Sequence, residues 1–520
     1  MAMAEVALRR RTRARRPVVK TVEAENFDLI ERYEIVKGFG SVEILWNRNS
    51  LENVYTVVEP NLTDYEKMQT GILPHEMEMV IPNLKKFKIG SKEIDIGNLL
   101  DAYVDAYNVK LTKDSKEKIK YYLKRDFEGL GPIEIIIKDP YVEDISCNGY
   151  QTPIFVYHRK YGSVKTNVRF SSRAMLDSYV IKLAQICGKE VSVSEPILDG
   201  ATPQGHRVQA IYGEEISTKG STFTIRLFRE KPFTPVELIK FGTASAEMVT
   251  YFWYMLENLS SALIAGVPAV GKTSTMNAIL MLVPPRTKIF SIEETREINI
   301  LHQNWVATST REGEFDIQDT GEASNLRIDM FELVKMAMRQ RPTYIVVGEV
   351  RGREASALFQ AMSTGHTTYS TIHADSMEAT VNRLESNPLN IPRIMITYLN
   401  TVIFNKFVRS GDSVIRRITE VDEMSGFNTE TGEVVYNKVF TYDAYKGKHS
   451  FMGYSNLYKK VQFLKGLTAS QFKQEFEFRR KLLEEMARSD ITNYIEINKI
   501  ISTYYKDPDQ AMSMASGELE

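Results

Sequence analysis

Gly266, Val267, Pro268, Ala269, Val270, Gly271, Lys272 and Thr273, with Ser274 behind them, form the stretch whose types and spacing most directly specify chemistry. An apolar run at residues 261–265 precedes it, and a helix-forming run to residue 281 follows. Strand, glycine-bounded loop and helix together make a phosphate-binding loop of the kind found in nucleotide hydrolases. Gly266 and Gly271 let the backbone wrap an anion without a side chain in the way, and the helix start turns its unpaired N–H groups toward it. Lys272 reaches the β- and γ-phosphates of such a ligand, and the Thr273 hydroxyl holds Mg2+. The predicted ligands are therefore ATP and Mg2+.

Three further features converge on that loop. Residues 344–348 are a buried strand that ends in Glu349. An acid at the carboxyl end of a parallel strand faces the ligand crevice, where it holds Mg2+ or the metal's water shell. Residues 288–292 end in the pair Glu293 and Glu294, one of which is expected to orient the attacking water or take its proton. The sequence leaves open which one. His373 closes the run 367–372, at the same sheet edge as Glu349, and is expected to sense the γ-phosphate; His366, at the other end of that run, carries a weaker case. The remaining histidines are scattered, and no serine or cysteine nucleophile arrangement stands out.

The elements that must position these groups follow an alternating grammar after residue 244. Strands are predicted at 261–265, 288–292, 344–348 and 368–372, and helices at 272–281, 330–340 and 353–364, which implies a parallel sheet covered on both faces. Residues 311–325 read as a loop, residues beyond 408 as strands, and 469–486 as a charged helical tail. Upstream, 101–125 and 175–187 read as helices. Residues 133–137, 142–147, 154–157, 207–212 and 222–228 read as strands, making an α+β domain.

The expected division is a disordered basic tail at 1–25, an accessory region at 26–100, an α+β domain at 101–229, a proline-marked linker at 230–243, the phosphate-loop α/β domain with a helical extension at 244–510, and a short tail at 511–520. Arg9, Arg10, Arg11, Arg13, Arg15 and Arg16 crowd the first segment, a composition suited either to a solvated tail or to an anionic membrane face, at about 1 kcal/mol per basic residue near the surface.

Composition narrows the rest. A net charge of −1 over 520 residues gives no global basic field for nucleic acid, and no nucleic-acid partner is expected. Two cysteines, Cys147 and Cys187, rule out a disulfide framework and a four-cysteine zinc site. There is no run of eighteen apolar residues and no apolar signal core at the start, so a cytoplasmic location is expected.

With these motifs placed, the sequence resembles the type II/type IV secretion ATPase superfamily, and within it the archaeal archaellum and type IV pilus motor ATPases. The resemblance covers roughly residues 50–510. Its most specific stretches are Val57-Val-Glu-Pro-Asn-Leu62, Tyr121-Tyr-Leu-Lys-Arg-Asp126, Glu143-Asp-Ile-Ser-Cys147, Val156-Tyr-His-Arg-Lys-Tyr161, Gly220-Ser-Thr-Phe-Thr-Ile-Arg226 and Gly348-Glu-Val-Arg-Gly352. The family's Walker A loop, aspartate box, Walker B strand and histidine box match residues 266–273, 292–297, 345–349 and 365–373.

The resemblance implies a C-terminal RecA-like phosphate-loop domain with a parallel sheet, preceded by an α+β N-terminal domain. It also implies a homohexamer at the inner face of the cell membrane, docked on a polytopic membrane platform protein and driving insertion of filament subunits. Arginines near the end of the N-terminal domain would reach the nucleotide of the ring, matching Arg207, Arg226 and Arg229. Threonine and serine usually stand where this chain has Pro268 and Val270, and Glu-Asp where it has Glu293-Glu294. The four-cysteine zinc insert of bacterial relatives is missing, which favours the archaeal branch. A hexameric nucleic-acid motor and a nucleotide-binding scaffold with little turnover are the alternative readings.

Overall fold

A computed structural model describes residues 26–70, 100–101, 104, 109–228, 231–311, 328–411, 413–428 and 430–517. The basic tail, the expected loop at 312–325 and Arg229 lie outside the described residues. The chain divides into two compact units, Met1–Phe228 and Arg229–Glu520.

The first unit is built on a nine-stranded sheet. Its strands are β1 (Phe27–Val36), β2 (Gly40–Asn47), β3 (Glu52–Val58), β4 (Val142–Cys147), β5 (Phe155–His158), β6 (Gly162–Thr166), β7 (Ile197–Ala201), β8 (Arg207–Ile211) and β9 (Thr222–Arg226), in the order β1-β2-β3-β6-β5-β4-β9-β8-β7. Neighbours pair antiparallel except β3 with β6. The helix Arg173–Ile186 opens on Ser172, whose side chain accepts from the Met175 N–H, and it buries Leu176, Tyr179, Val180 and Leu183 in this unit's core.

Residues 133–137 do not form the expected strand. Gly131–Ile133 is a single 3-10 turn that runs into the helix Glu134–Lys138. The β-branched run suggested a strand, but Pro132 is the second residue of the turn, and the Glu134 carboxylate accepts from the Leu130 N–H at 2.6 Å. Ile133, Ile135 and Ile136 then face the core.

The second unit holds the alternating grammar. Its strands are β10 (Ala262–Ala265), β11 (Ile289–Glu293), β12 (Trp305–Ser309), β13 (Tyr344–Val347), β14 (Thr367–Ile372), β15 (Thr401–Ser410), β16 (Ser413–Phe427), β17 (Val434–Asp443) and β18 (Lys448–Phe451). They lie in the order β12-β11-β13-β14-β10-β15-β16-β17-β18. Pairing is parallel from β12 through β15 and antiparallel from there on. Strand alternation sends Ala262 and Ile264 into one core cluster and Leu263 and Ala265 into another, so β10 is buried on both faces. The helices Ala246–Glu257, Lys272–Leu280 and Ala469–Arg488 supply the first cluster; Met330–Arg339, Glu354–Ser363 and Met377–Glu385 supply the second.

The sequence suggested a charged helical tail from residue 469, but in the fold that helix is core. Arg479 is 1% exposed, donates to Glu257 at 2.8 Å and Glu475 at 2.6 Å, and stacks 4.1 Å above the Tyr254 ring. The described part of the expected terminal tail also differs. Pro508–Ser516 is a helix whose Ala511 and Ala515 are buried in the same cluster. No helix among the described residues is long and apolar enough to cross a membrane.

Candidate nucleotide site

At the carboxyl end of β10 the chain turns through residues 266–271 into the helix Lys272–Leu280. Gly271 caps that helix in a left-handed conformation, φ 95°. A Cβ at Gly266 would lie 2.6 Å from the Asn405 carbonyl oxygen and 2.7 Å from Val270 Cγ1, so only glycine fits there. Val270 turns inward and is buried, whereas Val267, Pro268 and Ala269 are exposed. Ala269 also takes a left-handed φ of 61°, a strain of about 1–2 kcal/mol for a residue with a side chain. Thr273 and Ser274 are half-buried in the helix's first turn.

Lys272 is 8% exposed. Its ammonium donates to the Val267 carbonyl at 3.2 Å and lies 3.2 Å from Nδ1 of His373. His373 Nε2 is 2.7 Å from Oε1 of Glu349. Arg351 in turn reaches Glu349 Oε2 at 2.6 Å and Glu294 Oε2 at 3.7 Å. A line of polar and charged contacts thus runs Lys272–His373–Glu349–Arg351–Glu294.

Burial would raise the Glu349 carboxyl, but the Arg351 hydrogen bond and the charges of Arg351, His373 and Lys272 outweigh it, and the group stays below its ordinary range. It is therefore ionised, as a hard cation requires of an oxygen ligand. Burial lowers both His373 and Lys272, with Glu349 opposing. A neutral His373 lets Nδ1 accept from Lys272, while Nε2 lies close to Glu349 Oε1, which has no hydrogen-bond partner.

The two acidic-box residues part company. Glu293 is 2% exposed, and its Oε1 accepts from the Glu297 and Ile298 N–H groups at 2.8 Å each. Burial pushes its carboxyl up to about 7 despite those two bonds, and Oε2 has no hydrogen-bond partner. It is a turn-holding acid. Glu294 is half exposed, with its carboxylate facing Arg351.

His366 sits before β14, at the opposite strand end from His373, and its ring Nδ1 lies 3.3 Å from Thr364 Oγ1. Both cysteine thiols are pushed up to about 11 by burial, so neither supplies a thiolate near neutrality. Among the described residues, no group of three or more His, Cys, Asp or Glu side chains is placed to hold a metal ion by itself.

Two residues at the loop carry no motif that marked them in advance. Asn405 on β15 donates to Thr275 Oγ1 at 2.7 Å and to the Gly271 carbonyl at 3.4 Å. Arg416 on β16 donates from Nε to the Ala269 carbonyl at 3.1 Å. The only sequence signal is for Asn405, a polar residue directly after the apolar run at residues 402–404.

In the first unit, Arg207 and Arg226 sit directly opposite each other on β8 and β9, and Asp144 lies opposite Arg226 on β4. Arg226 Nε is 3.4 Å from Asp144 with its side chain 60% exposed, while Arg207 is 3.2 Å from Asp199 and 25% exposed.

Residues 126–493 match the family described as Type II/IV secretion system protein. An uncharacterized protein of Methanocaldococcus jannaschii is 37% identical over 402 residues, 76% of this chain and 71% of the relative. A second from the same organism is 37% identical over 270 residues, 52% of this chain and 97% of its own length. Among solved structures, the Legionella pneumophila ATPase DotB matches at 19% identity and TM-score 0.38, over 65% of this chain and 92% of that one.

Proposed function

The chain belongs to the type II/IV secretion system protein family, and from that premise we propose that it is an ATP-hydrolysing motor whose phosphate loop binds Mg2+-ATP. The observation that carries this reading is the contact line from Lys272 through His373 to Glu349, which ends at the N-terminus of the phosphate-loop helix. On this reading the triphosphate takes the Lys272 ammonium away from the Val267 carbonyl. His373 then sits beside the γ-phosphate end, with Nε2 2.7 Å from Glu349 Oε1. Glu294 is the acid proposed to orient water, because it is half exposed whereas Glu293 is 2% exposed with Oε1 held in the turn. Thr273 and the ionised Glu349 fit a hard cation. Mg2+ held there supplies positive charge against the β- and γ-phosphates.

The finer proposal is a homohexamer at the inner membrane face that works through a polytopic platform protein to assemble an archaeal type IV filament, a pilus or an archaellum. Family membership and the Methanocaldococcus relatives support it. Arg226 and Arg207 are proposed to reach the nucleotide of a neighbouring subunit, and the arginine-rich first segment to meet anionic lipid.

The test is Mg2+-dependent release of phosphate from ATP by the wild type and by Lys272→Ala. Turnover is expected to fall to background in a variant with unchanged circular dichroism. Equal turnover in the two proteins removes the motor reading.

A further inference from the structure

The two flanks of the phosphate loop differ in character. On the β13 and β14 side lie Glu349 and His373, charged and polar groups suited to phosphate and water. On the β15 and β16 side lies a large apolar ring. β15 runs parallel to β10 with Ala265 opposite Phe404, so Phe407 stands three residues further along, past the strand end where the loop begins. Side chains two apart in a strand share a face. Phe407 therefore shares the face of Asn405, and Asn405 bonds Thr275 in the phosphate-loop helix.

Phe407 is 42% exposed. Its ladder partner on β16 is Arg416, with the guanidinium carbon 5.8 Å from the ring centroid. Arg416 also reaches the loop, through its bond to the Ala269 carbonyl, and its Cδ would lie 3.7 Å from a Cβ on Gly271. One arginine thus ties an uncovered aromatic face to the backbone that would hold phosphate.

We propose that Phe407 and Arg416 form the nucleobase side of the nucleotide site: a purine stacks on the Phe407 ring, and the Arg416 guanidinium bridges that base to the phosphate loop. This rests on the reading that a nucleotide occupies the loop. The geometry favours it because the polyphosphate, anchored at the helix N-terminus with its terminal phosphate toward Glu349, must send its base to the other flank. There, Phe407 supplies a π-face and Arg416 a planar cation, the two surfaces on which bases stack.

The experiment is calorimetric titration of the full chain with Mg2+-ATP and, separately, with inorganic tripolyphosphate, which has no base. Base–aromatic stacking energies predict roughly ten-fold or greater loss of ATP affinity in Phe407→Ala, with tripolyphosphate affinity unchanged and Phe407→Trp binding ATP like the wild type. Arg416→Ala is expected to weaken both ligands because it also releases the loop, while Arg416→Lys restores tripolyphosphate more fully than ATP. Unaltered ATP affinity in Phe407→Ala overturns the proposal, and so does an equal loss of both ligands, which would make the ring a support for the loop. A wild type that binds neither ligand removes the parent nucleotide reading and this site with it. A wild type that binds tripolyphosphate as tightly as ATP removes only the base site.

Discussion

At the residue scale, the chemistry turns on how few groups neutralise a triphosphate. Lys272 is the one buried cation at the loop backbone among the described residues, so the loss expected on its removal is close to complete. Glu349→Gln makes a sharper distinction. Glutamine keeps the size, but its neutral amide no longer offers a carboxylate to Arg351 and His373. Mg2+-ATP is expected to stay bound while turnover drops by 10²-fold or more, read as kcat falling with little change in KM. Full activity in that variant would move the essential acid to Glu294.

These residues could be proposed from the sequence because phosphate chemistry demands fixed types at fixed spacing. Arg416 was not. It belongs to a charged strand 145 positions after Gly271, and only the β15–β16 pairing brings it to the loop. The different burial of Glu293 and Glu294 was equally hidden, since consecutive residues at a strand end face different ways and the pattern alone does not say which way is in.

At the element scale, alternation of apolar runs with helical periods specified the parallel half of the second sheet closely. β10, β13 and β14 fall within a residue or two of their expected bounds. β12 escaped notice because Trp305–Ser309 is a partly exposed edge strand without an apolar run. The helix Glu134–Lys138 was misread because three consecutive isoleucines carry strand propensity whichever structure their neighbours impose.

The turn after β11 offers a test of its own. Burial raises the Glu293 carboxyl from 4.5 to about 7, so the folded chain binds that proton more tightly than the unfolded one. Its contribution to stability is therefore full below about pH 4.5 and is lost as pH rises to about 7, a cost of ~3 kcal/mol at 1.36 kcal/mol per unit. Glu293→Gln keeps an acceptor for Glu297 and Ile298 but cannot ionise. The urea midpoint of the wild type should fall between pH 5 and 8 relative to the variant's. Parallel midpoints across that range would mean that Glu293 carries no such penalty.

At the scale of the whole molecule, the proposed ring asks the first unit for a cation that the phosphate loop lacks. The transition state of phosphoryl transfer spreads negative charge over the γ-phosphoryl oxygens, and an arginine supplied by a neighbour is worth roughly 10³–10⁵ in rate in related hydrolases. Arg207 and Arg226 face each other across β8 and β9, an arrangement that costs stability unless anions lie between or beside them. In the single chain Asp199 and Asp144 play that part, and the group of four side chains is neutral. The Arg226–Asp144 contact is long and exposed, and such pairs hold weakly, so a phosphate can displace it at little cost. Arg207 is the more enclosed of the two and is expected to matter less to turnover. Arg226→Ala should therefore lower kcat far more than it weakens ATP binding. If the arginine and the phosphate loop of one site come from different subunits, each inactive variant still supplies the half that the other lacks. Lys272→Ala mixed with Arg226→Ala should then recover part of the wild-type turnover, because some interfaces pair an intact loop with an intact arginine. Mixed rings confirmed by differential tags and native mass spectrometry that show no recovery would place Arg226 outside its neighbour's site.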